Sequence, residues 1–422
     1  MQKISKRMVV VVGNGHAIFL GIVLTAFSTA SHGEGVPPYA ELLQRSLSNA
    51  PLLLEQAANV RAASADARQA RAWLNPSISA NYENLNAPKS GGIDQRQDTY
   101  SITQPLEIGG KRAARIEVGD RSLAAAEARN RQAQIAFAAN LAVAYASAEA
   151  MQIRKELAAE EVERAKEDLR VARAQVKAGR EAELRVAQAT ASVAAAQAIE
   201  QAATADATEA LERLSALVGA DQAYTSIGRT FLDVSSAVAR SPGKPQESPA
   251  IVTAIAEREA LAAQVHVEER RWIPDLGLSV GTRKYAWSGD NGMVVGVTAS
   301  IPLFDRNRGA ADAARERAVA AEARLEGTRL VAVAARRSTA AQVLASEKRL
   351  EAALQGEIAA TEAYRLARIG YDAGKNPLLE LLVIRRALTE AKLSTVDARL
   401  ARVRALATRS MVDGRIAFGE SE

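Results

Sequence analysis

Three histidines and no cysteine are all that this 422-residue chain offers toward nucleophilic or soft-metal chemistry. His16 and His32 fall in an N-terminal segment laid out like an export signal, which leaves His266 alone in the body of the chain. It sits in a helical stretch beside Glu268 and Glu269. A surface histidine is the plain reading and a metal site the alternative. A nucleophile, a base and an orienting acid cannot be assembled around one histidine. Gly13-Asn14-Gly15 lies in the leader and Gly109-Gly110 at a corner between a strand and a helix, so neither belongs to a phosphate loop. Without cysteine there is no disulfide framework, no thiolate site and no lipid-bearing cysteine. The residue types therefore predict no catalytic set, no cofactor and no resident metal.

The rest of the chain concerns architecture. Lys3, Lys6 and Arg7 precede an apolar run from Ile18 to Phe27. Small residues then offer cleavage after Ala30 or after Gly33, as in a secretory leader; a retained anchor is the alternative. Removing residues 1–33 takes away three basic residues and no acidic one, so the net charge falls from +5 to +2. That excludes the strong basicity a nucleic-acid partner would want. Nothing after residue 33 reads as a transmembrane helix. The hydrophobic fraction is 48% but aromatics are only 4%, because alanine carries most of the count. Alanine favours helix and close backbone approach, so long helices packed side by side are expected.

The chain is written twice. Trp73-Leu74-Asn75-Pro76 returns as Trp272-Ile273-Pro274, 199 residues after the first tryptophan. Gln104-Pro105-Leu106 returns as Ile301-Pro302-Leu303, offset by 197. Val176-Lys177-Ala178-Gly179 returns as Tyr371-Asp372-Ala373-Gly374, offset by 195. Three landmarks in one order predict a duplication.

Inside each copy the period switches. Ile78, Ala80 and Tyr82 alternate with Ser77, Ser79 and Asn81, and Leu276, Leu278 and Val280 alternate with Gly277, Ser279 and Gly281. Tyr100 and Ile102, and Val295 to Ile301, repeat the pattern, predicting four strands with one apolar and one polar face. From Lys111 to Ala178 there is no proline and only Gly119, which predicts one helix of roughly 100 Å. A seam of Ala158, Val162, Ala165, Leu169, Ala172 and Val176 should face Leu184, Ala187, Ala191, Ala194 and Ala198 across a short turn. In the first copy, the two shorter helices together match the long one and could lie end to end beside it.

The predicted organisation is an export signal at 1–33 and a first repeat at 34–220, with strands at about 76–84 and 98–106 and a hairpin tip at about 178–184. A connector spans 221–249. The second repeat spans 250–422, with strands at about 275–285 and 292–302 and a tip at about 372–378. Four strands leave two open edges. In an exported chain, amphipathic strands suit a membrane β-barrel closed by further copies, with helices long enough to cross a periplasm-like space.

With these marks, and with Tyr371-x-x-Gly374-x-x-x-Leu378-Leu379-Glu380-Leu381-Leu382 followed by Arg385-Arg386, the sequence resembles the TolC-type outer membrane efflux proteins. It is most similar to the branch serving heavy-metal pumps of the cobalt–zinc–cadmium RND type. The resemblance implies a mainly α fold with a small β part, in a homotrimer. A 12-stranded outer-membrane β-barrel would continue as a periplasmic α-helical barrel. It implies a passive exit duct for heavy-metal cations, with drugs as the alternative cargo. The partners would be a periplasmic adaptor, an inner-membrane RND transporter and outer-membrane lipid. Gly179, Arg180, Glu183, Leu184, Gly374, Lys375 and Leu378 would meet the adaptor. Glu380 would line the constriction as a ring of three carboxylates, with Asp372 nearby, unless it is a solvated residue pairing with Lys375 or Arg385. Arg185 holds the matching place in the first tip, where the family more often has an acid. Trp73 and Trp272 read as rim aromatics or as ordinary packing. Scarcity of soft ligands says nothing either way about the cargo of a passive duct. The rival from another class is a periplasmic coiled-coil adaptor or scaffold without a pore, which leaves the four strands unexplained.

Overall fold

The computed structural model describes residues 35–89, 91–179, 182–228, 231–233, 247–373, 375 and 377–419; the expected export signal and part of the connector lie outside them. Two short helices come first, α1 (Tyr39–Asn49) and α2 (Pro51–Ala70). They are followed by strands β1 (Ser77–Glu83) and β2 (Gln97–Leu106) and the helical hairpin α3 (Lys111–Lys177) and α4 (Glu183–Val218). The order then repeats as α5 (Pro249–Arg270), β3 (Asp275–Tyr285), β4 (Asn291–Ser300), α6 (Arg308–Asp372) and α7 (Leu378–Val412). At 67 residues α3 is about 100 Å long.

Both long helices begin on a left-handed residue. Gly110 has φ 75° before α3, and Asn307, 197 residues later, has φ 55° before α6. Such a residue turns the chain sharply out of the strand, and glycine and asparagine reach that region at least cost. Each is then pinned from the helix below. Arg270 Nη1 donates to Gly110 O at 2.8 Å, and Asn307 Nδ2 donates to Glu268 O at 2.9 Å and to Glu268 Oε2 at 2.8 Å.

The four strands form one antiparallel sheet in the order β1-β2-β3-β4. Its register sorts the side chains by polarity. One face carries the rows Ile78–Ile102–Val280–Val295, Ala80–Tyr100–Thr282–Met293 and Leu106–Leu276–Ala299. The other carries Ser77–Thr103–Ser279–Gly296 and Asn81–Thr99–Arg283–Gly292. β2 runs on through Pro105-Leu106 against β3, whereas β4 stops at Ser300, before the matching Ile301-Pro302-Leu303.

The helices pack around α3, which touches α2, α4, α5 and α7. The end of α4 meets the start of α2: a Cβ on Gly219 would stand 2.7 Å from Pro51 Cδ. The two shorter helices therefore do run end to end beside α3. The seam on α3 is as expected, with Ala158, Val162, Ala165 and Ala172 buried. The seam on α4 is not. Ala187, Ala191, Ala194 and Ala198 are exposed, and Val193, Ala196, Ala207, Leu211 and Leu214 turn inward instead. Alanine covers every face of α4, so its spacing cannot choose among them; the few larger side chains do.

Most of the larger core side chains gather halfway along α3. Phe137, Leu141 and Tyr145 meet Tyr39, Leu42, Leu211, Leu214, Phe231, Leu400 and Val403 there. Tyr39 stacks on Phe231 at 4.5 Å between centroids, and its hydroxyl donates to Ala417 O at 2.8 Å. Within this belt Glu149 is buried, and its Oε2 accepts the N–H groups of Phe231 and Leu232, both at 3.1 Å. Burial pushes its carboxyl up to about 7, against the pull of those two N–H groups; Asp233 adds to the rise and Arg399 opposes it. Tyr145, also facing it, is itself pushed up to about 12, by burial and by Glu149. The unfolded carboxyl ionises near 4.5 and the folded one near 7. The folded state thus holds the extra proton between these values, and this stabilisation is present below 4.5 and lost as pH rises through 7. The loss is on the order of 3 kcal/mol, at ~1.4 kcal/mol for each tenfold change in proton affinity. Thermal unfolding should show stability falling across that window, and Glu149→Gln, which keeps an acceptor oxygen without the charge, should flatten the fall. An unchanged slope in the variant would assign the pH dependence elsewhere.

Candidate functional site: the open sheet and the hairpin tips

Two regions could act on something outside the chain. The first is the sheet. Six steps from Leu276 to Thr282 at ~3.3 Å carry its apolar face over about 20 Å, close to the ~25 Å apolar band of outer-membrane barrels. Ile78 (81%), Met293 (78%) and Val295 (68%) lie open on that face. Charged groups stand directly below it: Lys111 pairs with Asp275 at 2.8 Å, Arg115 with Glu107 at 2.6 Å and Arg71 with Asp120 at 2.7 Å. Trp73 and Trp272 occupy this boundary and are mostly exposed, with the Arg112 guanidinium 4.8 Å from the Trp73 ring centre. Apolar face, aromatic edge and charged collar follow one another as they do at a membrane surface.

The second region is the pair of hairpin tips. Gly179 (φ 71°) ends the first long helix, its N–H donating to Val176 O at 2.9 Å. Glu183 and Leu184 open α4 and are exposed, while Arg185 is half-buried. At the second tip Lys375 is exposed and its N–H donates to Gly370 O at 2.8 Å. Asp372 closes α6 and Leu378 opens α7. Glu380 lies exposed in the first turn of α7, where the helix dipole favours a carboxylate. Arg180 and Gly374 lie outside the described residues.

Arg385 does not serve Glu380. Its Nη1 reaches Asp168 Oδ2 at 2.7 Å and its Nη2 reaches Glu161 Oε1 at 3.2 Å, both on α3. Asp168 stands eleven residues before Gly179 and Arg385 eleven residues after Gly374, so the pair ties the two hairpins together at one level. Arg154 to Asp397 makes a second tie farther from the tips. Sequence reasoning missed both, since nothing local in Arg385-Arg386 tells which arginine turns inward. His266 is exposed, with Nδ1 3.8 Å from Glu269 Oε2. Among the described residues no cluster of three or more His, Cys, Asp or Glu could hold a metal, and no helix is long and apolar enough to cross a membrane.

An edge-open sheet, apolar on one face and polar on the other, standing on hairpins of about 100 Å, is the build of an outer-membrane channel protein. The chain belongs to the outer membrane efflux protein family, whose model matches residues 42–220 and 245–409. It is 58% identical over 403 residues to the nickel-cobalt-cadmium resistance protein NccC of Alcaligenes xylosoxydans xylosoxydans, covering 95% of this chain and 92% of that one. It is likewise 58% identical over 404 residues to the nickel and cobalt resistance protein CnrC of Cupriavidus metallidurans, covering 96% and 97%. In fold it is similar to the Campylobacter jejuni CmeC outer membrane channel, with a TM-score of 0.74, 17% identity, and 91% and 87% of the two chains covered. It is thus a transport protein of the outer membrane, reaching into the periplasm, and the poreless adaptor is set aside.

Removing the Arg385 side chain would leave Asp168 and Glu161 without the cation between them. Arg385→Ala is therefore expected to loosen the tips and raise resting single-channel conductance in planar bilayers. Unchanged conductance would mean that the pairs only order side chains.

Proposed function

We propose that the protein is the exit duct of a tripartite RND-type efflux pump and passes nickel and cobalt cations from the periplasm to the exterior. The observation that carries this reading is the open amphipathic sheet set on long hairpins. Three copies would supply twelve strands and close both edges of each sheet, with outer-membrane lipid against the apolar face. The two relatives named for nickel and cobalt resistance support those cations as cargo. Residues 1–33 would direct export and be removed, and the two repeats, at 34–220 and 250–422 about a connector, would each build half of a subunit. No catalytic step is assigned to the chain; energy would come from the inner-membrane transporter.

The tips meet the periplasmic adaptor through Gly179, Arg180, Glu183, Leu184, Gly374, Lys375 and Leu378. Glu380 forms a ring of three carboxylates at the constriction, flanked by Asp372, with Arg185 as the basic counterpart in the other tip. Such a ring concentrates divalent cations and repels anions. Trp73 and Trp272 mark the periplasmic rim of the barrel.

Two experiments test these statements. Deleting this chain while keeping its adaptor and transporter should lower the nickel and cobalt concentrations that stop growth; full resistance without it would refute the role. Glu380→Ala should raise conductance and weaken divalent block by about tenfold or more, since a carboxylate at 4 Å contributes ~1 kcal/mol per unit charge even in water-like surroundings. Wild-type conductance and block would remove Glu380 from the gate.

A further inference from the structure

The duplication lets the contact inside one subunit dictate the contact between two. The caps Gly110 and Asn307, like Gln104-Pro105-Leu106 and Ile301-Pro302-Leu303, are 197 residues apart, so β2 maps onto β4 with that shift. Thr103 pairs with Ser77 in the first hairpin. Its counterpart Ser300 pairs with Asp275 in the second, so β1 maps onto β3 with a shift of 198 (275 less 77). Pro76 and Pro274 stand the same 198 apart. The two hairpins are thus superimposable strand for strand.

The halves differ in one respect. β2 continues through Leu106 because β3 lies beside it, pairing Leu106 with Leu276. β4 has no such neighbour and ends at Ser300, leaving Ile301 (64%), Leu303 (65%) and Phe304 (100%) exposed. By the mapping, the absent neighbour is a β1. The subunit's own β1 is at the far edge of the sheet, already paired with β2, so the occupant is β1 of a second copy.

We infer that β4 of one subunit extends to Leu303 and pairs antiparallel with β1 of the next in a fixed register. Leu106 with Leu276, Gln104 with Leu278 and Ile102 with Val280 become Leu303 with Ile78, Ile301 with Ala80 and Ala299 with Tyr82 of the neighbouring copy. Side-chain parity agrees independently. Ile78, Ala80 and Tyr82 share the apolar face with Ala299, and continued alternation brings Ile301 and Leu303 onto it. A slip of one residue would set Tyr82, on the apolar face, opposite Thr298 or Ser300, on the polar one. The register rests on the proposed ring of identical subunits.

The chain has no cysteine, so introduced thiols are the only ones. Opposed residues lie ~4.5–5.5 Å apart at Cα, within disulfide reach, whereas a slip of two residues moves them to ~7–8 Å. Ile301→Cys with Ala80→Cys in one chain, oxidised in detergent, should convert most of the protein to covalent trimer on a non-reducing gel. Leu303→Cys with Ile78→Cys should do the same. Each single variant, and the slipped pair Ala299→Cys with Ala80→Cys, should stay largely monomeric on the gel. Native mass of the unoxidised variants separates the two readings. A three-copy mass with cross-linking only in the slipped pair, or in no pair, overturns the register alone. A single-copy mass overturns the ring and the register with it.

Discussion

Close packing on the small-residue surface of α3 is the constraint on which the rest of the structure depends. Ala114, Ala125, Ala138, Ala142, Ala146 and Ala150 are buried along it, and a Cβ on Gly119 would come within 3.0 Å of Ala67 Cα. Each such contact removes little apolar area from water, so stability has to come from length and not from a thick core. Long helices are the consequence, and long helices need neighbours over their whole extent. α2 and α4 meet that need on one side by abutting at Gly219 and Pro51. Large side chains are concentrated in one belt, where the chain also has to hold the segment leading out of the first repeat. Glu149 does this by accepting two backbone N–H groups, and Arg399 assists through Asp233 at 2.9 Å.

Much of this fold was legible because it is local. The alternation in Ile78-Ser79-Ala80 and the proline- and glycine-marked corners fix where strands stop and helices start. The repetition of those corners fixes how often. Gly110 and Asn307 illustrate the point: different residues at equivalent corners, both able to take a left-handed backbone. The inward face of α4 was not legible, because alanine looks alike from every side. Nor were the ties of Arg385 to Asp168 and of Glu149 to Phe231, since these partners lie far apart in the chain. At the tips, the sequence marks positions such as Glu380 and Arg185, while in the proposed ring their chemistry would depend on the copies of the chain around them.

The two repeats have diverged where they meet different surroundings. β2, paired with β3, reaches Leu106; β4, an edge strand of equal length in the single subunit, stops three residues short of the matching Leu303. The first tip carries Arg185 where the second carries Glu380. A duplicated unit can thus keep one backbone plan while its two copies take up separate tasks.

The aromatic belt also has a mechanical meaning. From Ala150, the last buried belt residue on α3, to Gly179 the first hairpin runs on for about 43 Å with no comparable core. It is a cantilever, clamped at one end and stiffened by Arg154 and Arg385 as struts. Deflection of a cantilever under a given end load grows with the cube of its free length. A modest push at the tip would therefore produce a wide displacement there, while the clamped belt and the sheet beyond it would hardly move.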